Sequence, residues 1–359
     1  VALKSNGSTF LDDNRNYSAS ANTALANDAY ILIANNDSVS SDGYSISDTK
    51  AIADDGFAFN QFNAEEQVVS FSPVPPPQAQ GSISGYTSGG NAPSTVTIDK
   101  FPFASDGNAT DVGDLSVAGF AMTGQSSSVS GYTSGGSGRT NTVDKFPFAS
   151  DGNATDVGNL TREVHDPAGQ SSNSSGYTSG GWVPSFYNDI NKFPFAADAN
   201  ATDVGDLTQG RRPGSGQSSL ESGYTSGGAP GLVNTIDKFP FAADANATDV
   251  GDLTQGRYST AGQSGVVSGY VGGGYASGGP ANTIDKFPFA TDANATDVGD
   301  LSQARWGSAG QSSTASGYSS GGHPNRFTTI DKFPFAADAD ATDVGDLTQG
   351  RYRGAGQQV

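Results

Sequence analysis

The chain has 359 residues, with 49 Gly, no Cys and a formal net charge of −19. The lack of Cys removes disulfides, thiolate nucleophiles and Cys-ligated zinc, the negative charge opposes binding to a phosphate backbone, and no apolar run reaches the roughly 20 residues of a membrane-spanning helix. Abundant Gly would suit a disordered chain, but Phe, Tyr, Val and Leu return at regular positions, which argues for a packed repeat.

Residues 1–72 contain no copy of that repeat. Short apolar runs at 29–34 and 67–71, bounded by Asn, Asp, Ser and Gly, read as strands between turns. The Ala-rich stretch 18–28 has the length of one or two helical turns. Together these predict a short β-rich or extended N-terminal segment, expected to serve for attachment. The first residue is Val1 rather than Met, which points to processing or a missing start. Residues 73–83 open with a Pro-rich run, expected to be a stiff, extended linker.

From Ser84 onward one stretch returns six times, its Lys falling at Lys100, Lys145, Lys192, Lys238, Lys286 and Lys332, at spacings of 45, 47, 46, 48 and 46 residues. A fixed period in this range marks a repeat architecture. In the fourth repeat, four strand-like pieces (a, b, c, d) lie at 215–220, 222–228, 234–242 and 247–254, separated by turn residues. Four strands in about 46 residues make one β-propeller blade. Gly, Ser, Thr, Asn and Asp are too frequent for solenoid helices; a β-solenoid is the structural rival. Phe239 and Phe241 flank Pro240, so both rings are expected on one face, with the Pro at an edge or bulge. Tyr224, Val250 and Leu253 are expected to pack between blades.

The ends of the repeat region match each other. A Gly-Gln pair precedes the second to sixth b pieces, with Gln125, Gln170, Gln217, Gln263 and Gln311 seven residues before the Tyr, but the same position before Tyr86 is Ala79. A spare Gly-Gln occurs at Gln357. The first blade therefore lacks its own strand a, and the last residues are expected to supply it, removing open sheet edges. The expected fold is all-β: a six-bladed propeller over 84–359, closed by its C-terminal strand, after the short N-terminal segment.

The pattern GYxSGG, NTIDKFPFA, DVGDL and AGQSS resembles a divergent kelch-like repeat found in marine phage virion proteins of cyanophage fibre or structural type. The resemblance covers 84–359. It implies a virion location, a non-enzymatic structural or appendage role, and oligomeric assembly with other virion proteins, which we assign to residues 1–72.

Internal copies can be compared directly. Loops a–b and c–d of an up-and-down blade share one face of the disc, and loops b–c and d–a share the other. The c–d loop is nearly invariant, whereas b–c and d–a differ in every blade. The differing loops hold Trp182, Tyr187, Arg211, Arg212, Arg257, Tyr258, Arg305, Trp306, His323, Arg326, Arg351 and Tyr352. Arg and aromatic residues are enriched at binding hot spots, so this face is the candidate contact for a host-surface glycan or protein. The competing reading pairs these Arg with repeat carboxylates and leaves the aromatics as blade caps.

Other chemistry is thinly represented. Asp198, Asn200 and Asp206 lie in a c–d turn with part of a calcium-loop spacing, but Thr stands where an acid is needed, and Asx-turns explain the pattern equally well. Asn-Ala-Thr in that turn is a glycosylation acceptor only in a secretory context. His165 and His323 occupy non-equivalent loops, and repeated acids suit turns better than one asymmetric catalytic pair. No cofactor, nucleic acid or membrane insertion is expected. The expected role is a virion tail or capsid fibre module for display or host binding; the alternative is a bacterial cell-surface or secreted lectin-like adhesin.

Overall fold

A computed structural model describes residues 80–91, 93–137 and 141–359, together with the backbone of short strands before residue 74. The chain divides into two compact units, Val1–Pro76 and Pro77–Val359. In the first, Leu3–Ser5 pairs with Ser8–Leu11, Val39–Ser40 with Gly43–Tyr44, and Phe57–Asn63 with Val68–Pro73, all antiparallel. The last of these strands covers residues 68–71 of the run expected at 67–71. The strand expected at 29–34, the helical turns at 18–28 and most of the Pro-rich linker lie outside the described residues.

The second unit is a six-bladed β-propeller, each blade one four-stranded antiparallel sheet. Blade 4 is representative: strands a (Arg212–Ser218), b (Ser222–Ala229), c (Val233–Pro240) and d (Thr248–Asp252) run in that order outward from the axis. Blade 1 takes strand a from the C-terminus, Ala355–Gln358, which pairs with strand b at Ser84–Ser88. Its strands c and d are Thr95–Pro102 and Thr110–Gly119. The expected closure is therefore present. Blade 5 adds a small hairpin, Tyr275–Ala276 with Gly279–Pro280, between its strands b and c.

The small residues of strands a and b are a packing requirement. Around the axis, the space a Cβ would need on Gly262 is filled by the Gly216 carbonyl, and Gly310 meets Gly262 in the same way. The ring of a strands closes because these positions have no side chain. One register step brings Gly223 of strand b opposite Phe239 of strand c, and the Phe239 ring lies across the place a Cβ would take. Pro240 ends strand c and is exposed, where no ladder hydrogen bond is lost.

Aromatic rings join the blades. Phe239 and its neighbour Phe241 pack against Tyr177 of blade 3, with ring centroids 5.5 Å and 4.9 Å away. Ile190 and Leu207 complete that cluster, and each neighbouring pair of blades repeats it. The Phe rings thus face the adjacent blade. Polar side chains reinforce the seam. Gln217 Nε2 donates 3.2 Å to the Tyr270 carbonyl of blade 5, and Gln311 Nε2 donates 2.9 Å to the Tyr86 carbonyl across the ring closure. The Lys of each Lys-Phe-Pro-Phe reaches an Asp in the next blade's c–d loop, as Lys192 does to Asp244 at 2.9 Å.

Candidate functional site on the variable face

The calcium-like turn belongs to this interlocking. Asp198 Oδ1 lies 2.9 Å from Lys145 Nζ of the preceding blade. Asn200 Oδ1 accepts from the Asn159 backbone N–H at 3.0 Å, and the Asp206 backbone N–H donates to Asn246 Oδ1. Asp198 and Asn200 therefore point at different blade-joining partners. Among the described residues no group of three or more His, Asp or Glu is placed to hold a metal ion. The c–d loop is constant because both its Asp and its Asn hold the neighbouring blade.

On the opposite face the candidate Arg residues separate into two kinds. Arg211, Arg257, Arg305 and Arg351 do not face solvent; they are fully or almost fully buried. Arg211 Nη2 lies 3.1 Å from Asp237 Oδ2, Arg257 Nη2 2.9 Å from Asp285 Oδ2, and Arg351 Nη2 2.6 Å from Asp99 Oδ2, while Arg305 pairs with Asp331. Each guanidinium also reaches main-chain carbonyls, as Arg257 does with Thr283 and Val271. Burial pushes Arg211, Arg257 and Arg351 below the usual guanidinium pKa, and the paired carboxylates pull the other way. These four residues leave the contact surface and become blade cores, so the structure corrects their assignment to it. In blade 3 both partners change together: Val164 stands where four blades have Arg, and Asn191 where every other blade has Asp, while blade 2 has Gly119 at the Arg position and keeps Asp144.

The residue immediately after this position, whether it holds a buried Arg, Val164 or Gly119, has the opposite fate. In every blade it forms a backbone bridge with the residue that follows Gly-Gly in the b–c loop. The pairs are Tyr352 with Asn91, Phe120 with Ser137, His165 with Trp182, Arg212 with Ala229, Tyr258 with Tyr275, and Trp306 with His323. Gly227 and Gly228 have φ of 66° and 137°, a left-handed turn that suits Gly and places Ala229 opposite Arg212. One backbone frame thus presents a different side-chain pair in each blade. The rule is legible in sequence as the fifth residue after the strand-d Leu and the first after Gly-Gly, but only the bridges show that the two positions meet. Sequence reading missed Asn91, Phe120, Ser137, His165, Ala229 and Tyr275 as members of the set.

Blades 5, 6 and 1 turn this frame into a continuous aromatic arc. Tyr258 stacks on Tyr275 at 5.4 Å, Tyr275 meets the edge of Trp306 at 6.4 Å, and Trp306 lies 4.7 Å from His323 and 5.3 Å from Tyr352. Arg212 caps the free side of Tyr258 at 4.5 Å, and Arg353 lies over Trp306 at 5.2 Å. Asn91 Nδ2 donates 3.0 Å to the Tyr352 hydroxyl. Arg326 is exposed in the same b–c loop as His323. Burial, then Arg326 and Arg353, hold the His323 imidazole below its usual pKa, which favours the neutral ring. A smaller group sits on blade 3, where Trp182 is exposed beside His165 and Arg162 covers the Tyr187 ring at 4.5 Å.

At the axis, the d–a loops are joined by a run of main-chain bonds. The N–H of Gly307 donates to Ser259, that of Ala121 to Arg353, and that of Asp166 to Ala121. The Asp166 carboxylate lies 3.5 Å from both Arg212 and Arg353. The inner end of the arc is therefore fixed by charge as well as by backbone. Among the described residues no helix is long and apolar enough to cross a membrane.

These features define a closed six-bladed β-propeller with one interlocking face and one face of six differing side-chain pairs. No known protein-family model matches the chain, and no curated protein matches it.

Proposed function

We propose that the chain is a non-enzymatic recognition and display module of a virion appendage, of tail or capsid fibre type, that contacts a host surface through the variable face. The six bridged pairs carry this reading: the backbone frame is constant while the side chains differ, which is how a rigid scaffold presents recognition residues. The likeness of the repeat to kelch-like repeats of marine phage virions supplies the virion setting. Residues 1–72 are assigned to attachment to other virion proteins, and several copies on one particle would raise avidity without new contacts.

The test is attachment of labelled full-length protein to intact bacterial cells, together with detection of the chain in purified phage particles. Paired substitutions Tyr275→Ser and Trp306→Ser are expected to reduce attachment at least tenfold, and Lys192→Gln on the opposite face to leave it within twofold. Attachment that survives the first pair and is lost with the second would overturn the assignment of the face. Absence of the chain from particles would overturn the virion setting.

A further inference from the structure

We infer that the aromatic arc of blades 5, 6 and 1 is a binding site for an acidic saccharide chain, lying along Tyr258, Tyr275, Trp306, His323 and Tyr352 with its carboxylate or sulfate groups toward Arg353 and Arg326. This rests on the reading of the variable face as the recognition face and names its ligand class.

The first support is shape and chemistry. The rings are packed against one another, so their orientation is set before any ligand arrives and little side-chain entropy is lost on binding. Tyr and Trp combine an apolar ring with a polar end, which matches a sugar that has a C–H face and a rim of hydroxyls. The centroid steps of 5.4, 6.4 and 5.3 Å run through three adjacent blades, which fits a chain of sugar units better than a single ring.

Charge supplies the second support. The chain carries −19 overall, yet the loops that build the arc, 89–94, 254–260, 273–282, 301–308, 321–328 and 347–354, contain no Asp or Glu. They hold Arg326 and Arg353 near the surface, and these two add to burial, the larger cause, in lowering the His323 pKa. Asp166 contacts Arg353 from the axis side at 3.5 Å, which holds one edge of that guanidinium in place. Complementary charge of this kind favours an anionic ligand and weakens with salt.

The chain has two Trp, so Trp182→Phe makes Trp306 the only indole and a reporter placed in the proposed site. Full-length Trp182→Phe protein would be titrated with a hyaluronan hexasaccharide, an oligogalacturonate hexamer and cellohexaose, following emission and heat. A saturable change is expected with at least one acidic probe, at least tenfold tighter than with cellohexaose and weakened by salt. Tyr275→Ser and Arg353→Gln, each checked for an unchanged melting transition, are expected to reduce affinity at least tenfold. No saturable signal from either acidic probe, equal affinity for cellohexaose, or unchanged affinity in Tyr275→Ser would overturn the inference. Periodate treatment of target cells distinguishes this from failure of the recognition face: attachment that survives periodate but is still lost with Trp306→Ser would overturn the saccharide and leave the face standing.

Discussion

Lys332 Nζ lies 2.9 Å from Asp106 Oδ1, joining blade 6 to blade 1 across 226 residues of sequence. The same pair recurs as Lys100–Asp151, Lys145–Asp198, Lys192–Asp244, Lys238–Asp292 and Lys286–Asp338. Each Lys is part-exposed and each Asp more so, so one pair contributes at most about 1 kcal/mol. Their importance is geometric: the repeat places one at every blade junction, including the one that closes the ring.

Stability should fall on the alkaline side. The hydrogen bond to Asp106 raises the Lys332 pKa against the opposing effect of burial, and burial raises the phenol pKa of the adjoining Tyr318, with Lys332 acting in the opposite direction. Lys145, Lys192 and Lys286 behave as Lys332 does, and Tyr86, Tyr132, Tyr177, Tyr224 and Tyr270 as Tyr318 does. A Lys with a raised folded pKa contributes stability below its unfolded value and loses it as pH climbs through the folded one. A buried Tyr acts in the same direction, because the unfolded chain releases its proton first. The melting temperature is expected to fall from about pH 10 upward. Calorimetry from pH 7 to 11 checks this, and a melting temperature constant to pH 11 would contradict it.

The closing strand should be indispensable. Removing residues 355–359 leaves strand Ser84–Ser88 as an open edge beside the axis and deletes Gln357, whose Nε2 donates to the Tyr132 carbonyl at 3.0 Å. An unpaired edge templates association. The truncated chain is expected to lose its single cooperative melting transition and to form oligomers on size-exclusion chromatography. A monomer melting within a few degrees of the full chain would show that closure contributes little.

The seam amides should each matter more than surface charge. Gln311 Nε2 donates to the Tyr86 carbonyl, Thr87 Oγ1 and Ser320 Oγ, all buried. Gln311→Leu leaves those acceptors short of a donor, and about 1–3 kcal/mol of stability should be lost. Urea unfolding measures it, with exposed Gln303→Leu as the control expected to stay within about 0.5 kcal/mol.

Blade 3 predicts the outcome of a mutant cycle in blade 6. Breaking the buried Arg305–Asp331 pair from either side, by Arg305→Val or Asp331→Asn, should cost about 3–5 kcal/mol because one charge is left buried without its partner. The double variant reproduces Val164 and Asn191 of blade 3, and its loss should be clearly smaller than the two single losses added. Strict additivity would show that the pair is not coupled.

The four paired Arg show where sequence reading stops. Composition and loop placement put Arg211, Arg257, Arg305 and Arg351 on the variable face, and topologically they are there. Their side chains turn inward because a buried Asp in the following strand c waits for them, and that pairing joins residues such as Arg351 and Asp99 that lie far apart in the chain. The neighbouring Arg212, Tyr258, Trp306 and Tyr352 face the other way, since bridged residues one step along extended backbone alternate sides.

Period, strand count and matched ends were enough to derive six blades and their closure, because a repeat must satisfy the same local chemistry each time and a missing strand leaves a visible gap. Tertiary structure alone decided which of two adjacent residues is core and which is surface. It also decided that the constant Lys-Phe-Pro-Phe joins neighbouring blades, and that side chains from three separate blades form one arc. Those relations depend on distances between residues far apart in the chain, which no local pattern encodes.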